Sequence, residues 1–109
     1  MLARVALSTS LERSYPELQE RFRQASVGMC TIEEEDWRQL YAALNVLHSG
    51  WGQRVMDAYP AIPAELLHIA CLIKSGVRDA DITRLMPQNR STTYRKITKV
   101  REQLTELLE

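Results

Sequence analysis

Apolar positions recur three and four residues apart in nearly every segment of the chain, and no stretch alternates apolar with polar residues for long enough to suggest a strand. This pattern predicts an all-α fold of about six helices. A first helix is expected from Ser14, which stands three residues before Glu17 in capping-box spacing, with Pro16 suited to a first turn. Tyr15, Leu18, Phe22 and Ala25 share one face of it, and Gly28 ends it. A second helix is expected after Thr31, capped by the pair Thr31 and Glu34, with an apolar stripe of Trp37, Leu40, Tyr41, Leu44 and Leu47. Ser49-Gly50 breaks that stripe. A short third helix carries Trp51, Val55 and Tyr59, and Pro60 and Pro63 bracket the turn after it. Pro63 opens a fourth helix, apolar over most of its circumference through Leu66, Leu67 and Ile69–Ile73, which belongs in the middle of a bundle. Gly76 supplies its left-handed stop.

The remaining segment carries the functional signal. Asp79–Leu85 reads as a helix of about two turns with Ile82 and Leu85 inward. Pro87-Gln88 cannot continue it, and Asn89 caps a last helix expected from Arg90 to Leu107. A short helix, a tight turn and a long helix is the arrangement that holds a recognition helix in the DNA major groove. On the last helix Thr93, Ile97, Val100 and Leu104 share the side expected to pack inward. Ser91, Arg95 and Thr98 lie opposite, with Tyr94, Lys96 and Lys99 on the flanks. Arg95 could reach guanine O6 and N7 with both prongs of its guanidinium. Ser91, Thr92, Lys96, Lys99 and the free amides after Asn89 could hold phosphates, and Tyr94 could pack on a sugar or a thymine methyl. The expected DNA-binding set is therefore Asn89, Arg90, Ser91, Thr92, Tyr94, Arg95, Lys96, Thr98 and Lys99.

Charge sharpens this reading. The net charge of the 109 residues is zero, which argues against a protein that coats nucleic acid indiscriminately. Between Arg84 and Arg101, however, lie Arg90, Arg95, Lys96 and Lys99 and no acid, whereas Glu33–Asp36 form an acidic run early in the chain. That run is expected to be the first turn of the second helix, where the helix dipole favours negative charge, in preference to a metal site. Cys30 and Cys71 lack metal-ligand spacing, and Cys71 reads as a small core residue; reduced thiols fit a cytoplasmic protein. Leu66–Ile73 is too short to span a bilayer, and Arg4 interrupts the only apolar start, so no signal peptide is expected. No cofactor is expected. Nor is an enzyme, because His48 and His68 fall in different helices with no carboxylate or nucleophile constellation and there is no phosphate-cradling glycine loop.

Several segments resemble the carboxyl-terminal helix-turn-helix domain of a large group of transcriptional regulators from gut-commensal bacteria, a domain of the LuxR/sigma-region-four type within the winged-helix-like DNA-binding superfamily. They are Glu35-Asp36-Trp37 with Leu40, Tyr59-Pro60, Ile69-Ala70-Cys71-Leu72-Ile73-Lys74, Val77 with Asp81-Ile82 and Leu85, and Arg90-Ser91-Thr92-Thr93 followed by Arg95 and Lys96. The resemblance covers about Ser14 to Leu104. It implies double-stranded DNA as partner, admits a homodimer, and fits the output end of a larger membrane-associated or repeat-containing regulator. The chain departs from the family pattern at four places. Pro63 and Leu66 replace the usual cap of the central helix. Arg78 stands where a capping Ser is common, leaving Asp79 to substitute. Thr83 replaces an Ala, and Glu102-Gln103 replace a basic run.

The expected organisation is a flexible tail or connector over 1–13, an amino-terminal helical subregion over 14–62 and a tri- or tetrahelical, wingless helix-turn-helix over 63–109, all in one compact domain. A helical protein–protein interaction or dimerisation module without direct DNA readout is the competing function. Leu104, Leu107 and Leu108 would then either extend a seam between two chains or close the bundle.

Overall fold

The computed structural model describes residues 13–109, so the expected tail lies almost wholly outside the described residues. Six α-helices and no strand occur among them: α1 (Tyr15–Ser26), α2 (Glu34–Leu47), α3 (Trp51–Ala58), α4 (Ala64–Lys74), α5 (Asp79–Leu85) and α6 (Arg90–Leu104), followed by a 3-10 turn over Thr105–Leu107. The all-α expectation holds.

Ser14 caps α1 as its spacing requires, its hydroxyl accepting from the Glu17 amide at 3.4 Å. The cap of α2 differs from expectation. Glu33, not Thr31, stands at the cap, and Asp36 three residues on accepts from the Glu33 amide at 2.8 Å. The reason lies in α1. Arg21 donates to Asp36 through Nε at 2.7 Å and to the Thr31 carbonyl through Nη2 at 2.9 Å, and Arg13 reaches the same Asp36 oxygen at 2.5 Å. Asp36 is only 2% exposed. Burial pushes its carboxyl up, but the bonds from Arg21, the Glu33 amide and Arg13 outweigh it and hold the group below its ordinary range. The acidic run is thus a helix start in which one member is also the buried tie between α1 and α2.

Ser49 and Gly50 both take left-handed conformations between α2 and α3 (φ 45° and 78°), and Arg54 holds the carbonyls of His48 and Ser49. The backbone of α3 then lies directly on α2. The Gly52 amide donates to Asn45, and a Cβ at position 52 would overlap Asn45 and Tyr41. Pro63 precedes α4, whose Leu66, Ile69, Ala70, Cys71, Leu72 and Ile73 are all buried. It is the central helix that the pattern predicts, packing on α2, α5 and α6. Burial pushes the Cys71 thiol up to about 12, so it stays protonated as a core side chain.

One apolar core joins all six helices, running from Phe22 of α1 through Leu40, Leu44, Trp51 and Val55 to α4, Ile82, Ile97, Val100 and Leu104. The last helix is shorter than expected. Its α-helical course stops at Leu104, because the Trp51 indole Nε1 donates to the Leu107 carbonyl at 2.7 Å and draws the chain end onto α3. Leu104 is buried, and Leu107 and Leu108, partly buried, pack against the core at the end of the bundle.

Candidate nucleic-acid interface

The turn between α5 and α6 is four residues, Met86 to Asn89. Met86 is buried and anchors it to the core, while Pro87 is exposed. Asn89 caps α6, its Oδ1 accepting from the Thr92 amide at 2.9 Å. Neither Arg78 nor Asp79 caps α5. Arg78 stands at the cap with no side-chain bond to the helix, and its guanidinium turns to Asp81 at 3.3 Å. The Asp79 carboxylate instead accepts from Arg101 of α6 at 2.6 Å. Thr83 fits in place of the smaller residue because its hydroxyl donates back to the Ala80 carbonyl at 2.6 Å.

The sequence assignment of faces on α6 is reproduced residue by residue. Thr93, Ile97, Val100 and Leu104 are its buried positions, packed toward α4, α5 and α3. Ser91, Arg95, Thr98 and Lys99 are exposed. Arg90 is exposed as well, its guanidinium 5.6 Å from the centre of the Tyr94 ring, while Tyr94 is half-buried and packs against the core. Thr92 is half-buried, and the Thr98 hydroxyl donates to the Tyr94 carbonyl at 3.0 Å. Ser91, Arg95, Thr98 and Lys99 therefore come together on one open surface. Asn89 is occupied as a cap, and Tyr94 buttresses Arg90.

Lys96 stands apart from this group. Its ammonium is ion-paired with Glu65 in the first turn of α4, both side chains being about a third exposed, at 30% and 31%. Three further ion pairs, on two carboxylates, hold cations of the same region: Asp79 with Arg101, and Asp81 with both Arg78 and Arg84. The Asp81 pairs follow from residues three apart on one helix. The partners of Lys96 and Arg101 lie 31 and 22 residues away. Such distances leave no local signal, so only the packing of α4 and α5 on α6 reveals them.

Among the described residues no group of three or more His, Cys, Asp and Glu could hold a metal ion, and no helix is long and apolar enough to cross a membrane. His68 is half-buried, its imidazole stacked on the Trp37 indole at a centroid distance of 4.1 Å and an angle of 2°. It borders a cleft of about 650 Å³ that also touches Cys30, Glu65 and the α5–α6 turn. Comparison of the chain with family models, with curated proteins and with solved structures returns no match.

Proposed function

We propose that this chain is the sequence-specific DNA-binding domain of a transcriptional regulator and that α6 enters the major groove. The observation that carries the reading is the exposed stripe of Ser91, Arg95, Thr98 and Lys99 on a helix whose opposite side, Thr93, Ile97, Val100 and Leu104, is buried in the core. A guanidinium at the middle of such a stripe has the donor geometry for a guanine edge, and the flanking hydroxyl and ammonium groups suit phosphates. The capped, dipole-bearing start of α6 lends the same end a favourable field for anions.

Selection from a random duplex pool at low salt tests it. The wild type should enrich one motif. Arg95→Ala should lose the preference at one base pair by about 1–3 kcal/mol while keeping most of its general affinity. Failure of the wild type to enrich any motif would end the proposal. The competing reading, a helical interaction module, draws on Val46 and Leu47 at the end of α2, which are 82% and 52% exposed. In that case Val46→Lys would abolish association with the partner and leave any DNA binding unchanged.

A further inference from the structure

We infer that Glu65 and Asp79 withhold Lys96 and Arg101 from DNA while Asp81 is shared by Arg78 and Arg84, so that the unpaired cations the domain offers DNA are three, Arg90 and Lys99 at phosphates and Arg95 at a base edge. The inference rests on the DNA-binding reading and adds to it a division of the basic segment into working and ion-paired charges. Seven cations lie between Arg78 and Arg101. Four of them are ion-paired to three carboxylates of α4 and α5, Asp81 being shared by Arg78 and Arg84. Among the described residues Arg90, Arg95 and Lys99 have no ion-pair partner, and the Arg90 contact with the Tyr94 ring leaves its charge intact.

A paired cation and carboxylate present little net charge to a polyanion. Moving Lys96 to a phosphate would leave the Glu65 carboxylate bare beside α6, where it repels the same backbone. The pair is also held between two packed helices and only about a third exposed, so it is less screened than a surface pair. Glu65 therefore acts as a charge-withholding residue and Lys96 as a positioning residue that ties α6 to α4. Affinity limited in this way keeps a single domain from holding DNA without sequence match, and leaves room for a second linked or paired domain to complete the binding.

Counterion release makes the number of working cations measurable. Each phosphate neutralised contributes about −0.9 to the slope of log affinity against log salt, so two cations at phosphates and a third in the groove put the slope at about −2 to −3, or roughly a 15- to 60-fold loss between about 50 and 200 mM salt. Engagement of all seven would give about −6. The measurement is fluorescence anisotropy on a short mixed-sequence duplex across a KCl series, with the wild type, Glu65→Gln, Lys96→Gln, Lys99→Gln and the double variant Glu65→Gln/Lys96→Gln. Circular dichroism melts confirm that each is folded. The wild type should show a slope of about −2 to −3. Lys99→Gln should be shallower by about one, Glu65→Gln steeper by about one and tighter-binding, and the double variant should match the wild type. Lys96→Gln should leave the slope no shallower. A wild-type slope near −6, or a loss of about one unit in Lys96→Gln, overturns the inference while DNA binding stands. Absence of any salt-dependent binding in all five proteins sinks the DNA-binding reading itself, and the inference with it.

Discussion

Thr93 lies on the inward side of α6 with no exposed surface, and its hydroxyl oxygen has no hydrogen-bond partner among the described residues. A buried hydroxyl without a partner loses its bonds to water and gains nothing in return. Valine has nearly the same shape and similar helix propensity. Thr93→Val should therefore stabilise the fold by about 1 kcal/mol, read as a rise of roughly 4 °C or more in the melting temperature. The exposed stripe is untouched by this change, so DNA binding at a fixed low temperature should be unaltered. The neighbouring Arg95 shows the opposite economy. It is exposed and has no ion-pair partner among the described residues, so its removal should cost readout and not stability. A pair of variants on one helix thus separates packing from recognition.

The two best-defined helix starts differ in how much they owe to local chemistry. The start of α6 is entirely local. Asn89 accepts from the Thr92 amide three residues on, and no distant group takes part. Asn89→Ala should cost about 1 kcal/mol of stability in chemical denaturation and should increase hydrogen exchange in the first turn of α6. The start of α2 is decided from outside. Thr31 and Glu34 have the right spacing for a capping box, but Arg21 of α1 occupies the Thr31 carbonyl and, with Arg13, engages Asp36. The cap shifts to Glu33 and Asp36, which satisfies both the helix end and the ion cluster. The carboxyl end of α6 is likewise displaced from its expected place by one distant bond, that of Trp51 to Leu107.

At the scale of the molecule, α2 and α4 are joined by the stacked rings of Trp37 and His68, and Phe22 of α1 meets the Trp37 ring at a centroid distance of 5.0 Å. Burial lowers the His68 pKa below its ordinary 6.5, and the charges of Glu34 and Glu65 oppose the shift without reversing it. The unfolded chain therefore binds a proton more readily than the fold does. The stability contribution is present above pH 6.5 and is lost as the pH falls through the lowered folded value. Asp36 and Glu35, both held low by arginine partners, titrate further down and do not contribute in that window. The melting temperature should fall between neutral pH and about pH 5, and His68→Phe, which keeps a ring against Trp37, should flatten that fall.

The sequence alone determined the helical class, the central place of Leu66–Ile73, the Asn89 cap and the sorting of α6 into a buried and an open side. All of these depend on periodicities and short spacings that operate within a few residues. Tertiary structure decided where α2 begins, where α6 ends, what His68 stacks on and how Lys96 and Arg101 of the basic segment are ion-paired. Each of those outcomes is a meeting of side chains from different helices. Lys96 and Glu65 are brought together by the packing of α6 on α4, a geometry that no local pattern of charges encodes.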